Sequence, residues 1–212
     1  MGVTVDLQLL LTHLVRCLLL DEHAYDEVRA TASESLSALV VVFLATSFAG
    51  LGGLLWTFIA ADHADHGRFF LRSVVFGSVL QVFFFLVWVL VVAAVLQRIY
   101  RVRVTYLELL RVMGYAFSPI GLQLFIFVPA LDQPIGIITL AGAFYLATHA
   151  IRSTTTATAG QALTASLLGF TLFCAALGIL GNGDSDLAPG IFALDPTSLS
   201  VGLNHAVLPV KR

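Results

Sequence analysis

Long apolar runs separated by short polar segments dominate the chain. Five runs are expected to cross a membrane as helices, since a helix rises 1.5 Å per residue and a bilayer core is about 30 Å thick. The predicted spans are residues 36–60, 73–96, 114–131, 134–151 and 162–180. The third and fourth runs are short, and residues 129–134 are expected to turn them into a hairpin. The pattern predicts an all-α, polytopic membrane helical bundle of about five transmembrane helices.

The N-terminal segment, residues 1–34, is expected to stay outside the bilayer core. Its leucines fall on one arc of a helical wheel and most of its polar residues on the other. The apolar arc holds Leu7, Leu11, Leu14 and Leu18, and the polar arc holds Asp6, Gln8, Thr12, His13 and Arg16. This pattern is typical of an amphipathic helix that lies along the membrane interface or docks on the spans.

A capped helix precedes the third predicted span. Thr105 and Glu108 have the spacing of a capping box, in which each side chain bonds a free backbone amide at a helix start. Arg111 lies three residues after Glu108, and both are expected to face water. Pro119 then stands where the third span would begin, a position at which its missing amide hydrogen costs little. We interpret Thr105, Glu108 and Pro119 as a structural elbow at the inner interface.

Composition supports a membrane protein and argues against nucleic-acid binding. The chain is 58% hydrophobic and 11% charged, with a mean hydropathy of +0.94, whereas soluble domains carry about 25% charged residues. The net charge is −2, and the basic residues do not cluster with aromatic ones. Ten of the eleven cations are arginine, a usage that favours a GC-rich, bacterial source.

The arginines also predict an orientation. With five spans, one side of the membrane receives seven cations and the other four. The richer side is expected to be cytoplasmic, particularly because three arginines follow the second span within a short loop. The sequence therefore predicts a multi-pass protein of the cell (plasma) membrane, with the N-terminus inside and the C-terminus outside.

Catalytic and cofactor motifs are absent from the sequence, so we predict no enzyme activity and no cofactor beyond lipid contacts. His63 and His66, with neighbouring aspartates, form a weak metal candidate, although a polar loop usually places such residues in water. His149 is a weak candidate for a haem or pigment ligand, but a lone interfacial histidine more often makes a hydrogen bond. The centre of each predicted span is free of charged residues, which argues against an ion-driven transporter.

Small residues recur at helical spacing along two spans. Such faces let helix backbones approach closely, most simply within the bundle and alternatively at a partner subunit. The predicted packing positions are Ala45, Ala49 and Gly53 in the first span and Ala162, Ser166 and Gly178 in the fifth.

Three stretches together resemble the prokaryotic Yip1-domain membrane proteins. They are CLLLDEHAYDEVRATASESLSALVVVFLATSFAGLGG, LELLRVMGYAFSPIGLQLFIFVPALDQPIG and ATHAIRSTTTATAGQAL. The resemblance covers about residues 7–180 and is carried by small and apolar residues in a fixed order. It implies a Yip1-like transmembrane domain over residues 35–180 and a non-enzymatic, bilayer-shaping or protein-recruiting role.

The remaining segment, residues 181–212, reads as an extended tail on the outer side. It is rich in Gly and Pro and has many apolar residues without a helical period. Those residues are expected to contact a partner chain: Ile191, Phe192, Leu194, Leu199, Leu203 and Leu208. The sequence therefore predicts an accessory or scaffold subunit that stabilises a larger membrane protein complex, with membrane lipids and other membrane subunits as partners. A free-standing Yip1-type organiser and a small-molecule transporter component are the alternatives.

Overall fold

A computed structural model describes residues 6–60, 66–128, 130–181 and 189–193 of the chain. These residues form α-, 3₁₀- and π-helical segments joined by short connections, and the described part contains no β-strand. The helices are α1 (Leu7–Leu18), α2 (Glu22–Ala30), α3 (Glu34–Ala60), α4 (Gly67–Ile99), α5 (Tyr106–Ala116), α6 (Asp132–Thr154) and α7 (Ala159–Gly181). Two 3₁₀ segments complete the fold, Ser118–Phe127 after α5 and Gly190–Ala193 after α7.

Within the described residues, five helical segments are long and apolar enough to cross a membrane: α3, α4, α5 with its 3₁₀ extension, α6 and α7. The predicted all-α membrane bundle is confirmed. The second of these segments, α4, is longer than predicted, because it begins at Gly67 and continues to Ile99. Its two ends are wound more loosely than an α-helix, as π-helical turns over Phe70–Phe76 and Val95–Ile99.

The third span differs most from the sequence-based expectation. Both reciprocal hydrogen bonds of the capping box are present between Thr105 and Glu108. However, α5 does not lie apart from the bundle, because every residue from Leu109 to Ala116 is buried. Helix α5 and the 3₁₀ segment together form one apolar stretch, Tyr106–Phe127, where residues 114–131 were expected. Pro119 marks the change from α to 3₁₀ winding within that stretch rather than its beginning.

The hairpin between the third and fourth spans is tight. Helix α6 already begins at Asp132, so Pro134 belongs to its first turn, where a proline is well tolerated. Pro129 lies outside the described residues. The fourth span therefore begins two residues before the predicted position and ends three residues after it, at Thr154.

The core of the bundle has three main interfaces. Helices α3 and α6 both pack along the Tyr106–Phe127 stretch, and α4 packs along α7. Five aromatic side chains fill the space where these layers meet, with neighbouring ring centroids 4.9 to 6.4 Å apart. They are Phe85, Trp88, Phe117, Phe170 and Phe173. The end of the bundle at which α1 and α2 pack is called the cap end below, and the opposite end is the far end.

Candidate functional site: a buried polar cluster at the cap end

Helices α1 and α2 form the cap, and each begins at an aspartate. Asp6 accepts hydrogen bonds from the amides of Gln8 and Leu9, and Asp21 accepts them from His23 and Ala24. An aspartate at this position satisfies amides that the helix leaves free and interacts favourably with the helix dipole. The caps fix where both short helices start, and so which side chains they turn toward the bundle.

Helix α1 presents three faces rather than the two predicted. Leu10, His13 and Cys17 are buried against the protein. The predicted polar residue His13 therefore belongs to the protein-facing side, and the leucine arc, represented by Leu11 with half of its surface exposed, lies beside it. Arg16, on the remaining polar side, reaches α2.

The centre of the cluster is a carboxylate at the first residue of α3. Glu34 is only 3% exposed, and the hydroxyl of Tyr115 donates to its Oε2 at 2.5 Å. The His13 ring lies between two carboxylates, with Nε2 3.5 Å from Glu27 Oε2 and Nδ1 3.8 Å from Glu34 Oε2. It also meets the Tyr115 ring edge-on, with centroids 6.2 Å apart. Side chains from α1, α2, α3 and α5 thus converge on one buried point.

Two arginines extend the cluster across the base of the bundle. Arg111 is 9% exposed, so the expectation that it faces water is wrong. Its guanidinium donates to Ser35 Oγ at 2.8 Å and to the carbonyl oxygen of Arg29 at 2.6 Å. Arg29 in turn donates to the carbonyl oxygen of Thr154 at the end of α6. The two guanidinium groups therefore connect α5, α3, α2 and α6.

A set of charged side chains lies at the outer edge of the cap, called the rim below: Arg16, Asp21 and Glu27. Arg16 bonds Glu27 Oε2 at 2.7 Å and Asp21 Oδ2 at 2.8 Å. These bonds to Glu27 and Asp21 raise the pKa of Arg16. Hydrogen bonding from Arg16 lowers the pKa of both carboxyl groups. All three side chains stay charged near neutral pH, and they tie α1 to α2 where water still reaches them.

Beneath the rim, an apolar layer holds two titratable groups in their neutral forms. Burial raises the pKa of the Cys17 thiol to about 12. Burial also raises the pKa of Tyr25, whose hydroxyl donates to the carbonyl oxygen of Cys17 at 2.9 Å. A thiol must become a thiolate to react, so Cys17 is shielded while the cap is docked.

The predicted histidine candidates do not come together in the described residues. His63 lies outside them, as does the side chain of His66. His149 packs its ring against Tyr25, with centroids 5.9 Å apart, and its Nδ1 is buried without a hydrogen bond. Across the described part of the chain, no group of three or more His, Cys, Asp or Glu residues is arranged to hold a metal ion.

The predicted small-residue positions have different surroundings. Ala45, Ala49 and Gly53 are buried in α3, and Ala162 and Ser166 are buried in α7. Gly178 is half-buried, and a Cβ atom there would meet nothing within 4 Å. The tightest approach of α3 is at Gly52, which the stripe did not include, where a Cβ atom would lie 2.0 Å from the carbonyl oxygen of Gln123.

At the far end, one carboxamide joins the 3₁₀ segment, helix α6 and the short turn after α7. Gln123 donates to Thr139 Oγ1 at 3.0 Å and accepts the amide hydrogen of Ile191 at 3.2 Å. The Ile191 side chain lies where a Cβ atom of Gly136 would be, and Phe192 packs against the core. Ile191 and Phe192, which were predicted to contact a partner chain, therefore pack on the spans of this chain. The other predicted partner contacts, Leu194, Leu199, Leu203 and Leu208, lie outside the described residues.

Several buried polar side chains, among them Ser78 and Gln81, have atoms without a hydrogen bond to any described residue. Ser78 and Gln81 are one turn apart on α4 and are at most 1% exposed. Neither the Ser78 hydroxyl nor the Gln81 carboxamide bonds a partner among the described residues. Serine and glutamine cost less to bury than a charge does, and two such groups do not form a path across the bundle.

Sequence reasoning missed the cluster because its members are far apart along the chain. His13, Glu34 and Tyr115 carry no recognisable spacing, and an isolated acid before an apolar run normally marks the edge of a span. One signal was available: Glu34 and Ser35 directly precede the first span, and Arg111 lies within a largely apolar helix. An arginine in such a helix needs buried acceptors, because a charge is costly to bury alone.

Comparisons with known proteins returned no relative. No protein-family model, no curated protein and no solved structure matches the chain.

Proposed function

We propose that this chain is a non-catalytic, bilayer-organising membrane scaffold. One observation carries the proposal: the cap holds the amphipathic helix α1 at the base of a five-span bundle, with Leu7, Leu11 and Leu18 exposed. The resemblance to Yip1-domain proteins supports the same role. The excess of cations near the cap end favours a plasma-membrane location with the cap in the cytoplasm.

The three faces of α1 fit a helix lying in the plane of an interface. Its buried face, at Leu10 and Cys17, contacts the bundle. The leucine arc points about a quarter turn away from that face, and the polar residues Gln8 and Thr12 are exposed farther round. A helix that lies beside a bundle at the membrane surface needs three such faces: one that contacts the protein, one that contacts lipid and one that contacts water.

The polar cluster explains why α1 is held rather than loosely attached. Buried hydrogen bonds to charged groups contribute about 1.5 to 3 kcal/mol each. Arg111 on α5 donates to the Arg29 carbonyl oxygen on α2, and Tyr25 on α2 donates to the Cys17 carbonyl oxygen on α1, so both cap helices are tied to the bundle. A wedge of leucines fixed to spans in this way displaces headgroups on one leaflet only, which is how interfacial helices bend membranes.

The location of α1 is tested by spin labels at two adjacent positions, Leu11→Cys and Thr12→Cys, in reconstituted vesicles. We expect the Leu11 label to collide with oxygen dissolved in the bilayer and the Thr12 label to collide with a water-soluble nickel complex. Electron paramagnetic resonance power saturation measures both. Equal exposure of the two labels to the nickel complex would exclude an interfacial α1.

The consequence for the bilayer is tested by electron cryomicroscopy of the same vesicles. The wild-type chain should raise membrane curvature, and the variant Leu7→Gln/Leu11→Gln/Leu18→Gln should not. The matched control Leu163→Gln changes an exposed leucine on a span. Unchanged vesicle shape with the wild-type chain would leave α1 as a docking element without a bilayer-shaping role.

A second candidate, an accessory subunit of a larger membrane complex, is favoured by α7. Only 28% of its most apolar window is buried, the smallest share among the five spans. Its outward side combines exposed leucines with small residues, including Gly160, at which a Cβ atom would meet nothing. Purification through an N-terminal tag in mild detergent, with the mass of the particle measured by light scattering, distinguishes a lone chain from a hetero-oligomer.

A further inference from the structure

An apolar groove runs between α4 and the start of α5. It has a volume of about 330 Å³ and is lined by Phe83, Leu86, Val87, Leu90 and Tyr106. The four α4 residues follow the i, i+3, i+4, i+7 spacing of one helix face. Tyr106 forms the opposite wall, and its hydroxyl donates to the carbonyl oxygen of Leu86 at 3.4 Å. Phe83 and Leu90 are both more than half exposed, so the groove opens on the lipid-facing side of the bundle.

In the connection between α4 and α5, buried and exposed side chains alternate. Val102 and Val104 are buried, whereas Arg101 and Arg103 are exposed. Hydrogen bonds to α4 hold the valine side inward: the amide of Val102 donates to the Leu96 carbonyl oxygen at 2.9 Å, and Gln97 Nε2 donates to that of Val104 at 2.7 Å. Arg101 has a left-handed backbone with φ of 56°, and Val102, Arg103 and Val104 then alternate between buried and exposed positions. Pinning the valines therefore presents both arginines outward.

A third arginine lies between this connection and the groove. Arg98 is exposed and follows Leu90 by eight residues, about 12 Å along the helix, on the same face. Arg98, Arg101 and Arg103 make no ion pair with any of the described residues. The nearest acid in the sequence, Glu108, is engaged with Thr105. Three unneutralised cations thus lie at the mouth of an apolar groove.

We propose that the groove and the three arginines bind one anionic phospholipid. An acyl chain lies along Phe83, Val87 and Leu90, and the phosphate lies among Arg98, Arg101 and Arg103. The charge of the arginines and their position at the end of the groove indicate this ligand. An apolar groove that ends in cations at the terminus of a span matches an amphiphile with a negatively charged headgroup. The groove and the arginines belong to α4, its connection and Tyr106, so the inference stands independently of the bilayer-organising role of α1.

The test is native mass spectrometry of the delipidated full chain with phosphatidylglycerol or phosphatidylcholine carrying identical acyl chains. We expect one phosphatidylglycerol molecule per chain, bound at least tenfold more tightly than phosphatidylcholine. Each arginine near a membrane surface is worth about fivefold in affinity for an anionic lipid. Arg101→Gln should therefore weaken phosphatidylglycerol binding about fivefold. Arg152→Gln, which removes an exposed charge at the same end of the bundle, should change it less than twofold.

A second pair of variants tests the groove. Val87→Phe fills it, whereas Val79→Phe makes the same change two turns away on the same exposed side of α4. We expect Val87→Phe to reduce phosphatidylglycerol binding at least fivefold and Val79→Phe to leave it unchanged, with equal thermal midpoints showing that both fold. Equal binding of the two lipids by the wild-type chain would overturn the proposal. If Arg101→Gln weakened phosphatidylglycerol binding and Val87→Phe did not, the lipid would be attracted only by the surface charge, and the proposal would also be overturned.

Discussion

The two ends of the bundle are held by different chemistry. At the cap end, charged side chains from α1, α2, α3 and α5 converge on Glu34 and Arg111. In the described contacts of the far end, backbones approach closely at Gly52, and the carboxamide of Gln123 joins the 3₁₀ turn to the bundle. Shape decides the packing at Gly52, and polar and charged contacts decide the docking of the cap. The two ends should therefore fail under different substitutions.

The largest effect is expected at the far end, from Gly52→Val. Its Cβ atom would lie 2.0 Å from the Gln123 carbonyl oxygen and 2.9 Å from Leu124 Cα, and backbone atoms cannot swing away as a side chain does. We expect a loss of about 3 kcal/mol or more of unfolding free energy. The thermal midpoint in detergent measures it.

Gly178→Val is the matched control for this substitution. A Cβ atom at Gly178 meets nothing within 4 Å, so the thermal midpoint should hardly change. Equal midpoints for the two variants would show that α3 and the Tyr106–Phe127 stretch are not packed as closely as described.

The second prediction concerns the cap end, where Arg111→Met removes the hydrogen bond from α5 to the carbonyl oxygen of Arg29 on α2. A buried hydrogen bond to a charged group is worth about 2 kcal/mol, and 1.4 kcal/mol is a factor of ten. Cap opening should become about thirtyfold more frequent. Cys17 reports it, because the thiol is 1% exposed when the cap is docked.

Maleimide labelling of Cys17 at pH 8, followed by peptide mass spectrometry, measures this opening. Glu22→Ala, an exposed acid of α2, should leave the labelling rate unchanged, as should Gly178→Val. An Arg111→Met chain that labels at the wild-type rate would mean that the cluster does not hold the cap.

These contrasts also show what sequence patterns can predict here. The number of spans can be predicted from hydropathy because every residue of an apolar run contributes to its mean hydropathy. An error of a few residues at each end therefore leaves the number of predicted helices unchanged. The arrangement of α5 could not be predicted from the sequence. A capped helix that contains Arg111 is expected to face water, because the sequence does not show that the fold places buried acceptors such as Ser35 beside the guanidinium. Likewise, Ile191 was expected to need a partner chain, since nothing in its own segment indicates that Gly136 leaves room for it.

The third prediction returns to the far end, with a smaller effect. Gln123→Leu leaves the amide of Ile191 without its acceptor, whereas Thr139 keeps its bond to the Gly136 carbonyl oxygen. One unsatisfied buried amide costs about 1 to 2 kcal/mol. The 3₁₀ turn should therefore separate from the bundle about tenfold more often.

A thiol introduced by Pro189→Cys, at a buried position directly before the turn, measures this separation. Maleimide labelling of that thiol, followed by peptide mass spectrometry, should be about tenfold faster when Gln123→Leu is added to the Pro189→Cys chain. Gln8→Leu, added to the same chain, makes the same change at the opposite end and should leave the rate unaltered. An unchanged rate with Gln123→Leu would refute the role of this carboxamide.

The smallest effect is expected at the rim of the cap, and it depends on pH. Hydrogen bonds from Arg16 lower the pKa of Glu27 and Asp21 in the folded chain. Groups with a lowered folded-state pKa stabilise fully above the ordinary carboxyl range, about 3.9 to 4.3, and the contribution is lost as pH falls through the lowered values. Acidification from pH 6 to pH 3 should therefore loosen α1 from α2.

The magnitude is small because the three groups are exposed to water. Exposed ion pairs contribute little, so hydrogen exchange of the α1 amides, divided by the intrinsic rate at each pH, should rise by no more than about fivefold. Arg16→Gln should remove that rise and make exchange at pH 6 equal to the wild-type value at pH 3. Because Tyr25 bonds the Cys17 carbonyl oxygen and because Leu10 and Cys17 are buried, independently of Arg16, α1 should stay docked in both cases. Full exchange of α1 at pH 3 would instead show that the rim, rather than the buried cluster, holds the cap to the bundle.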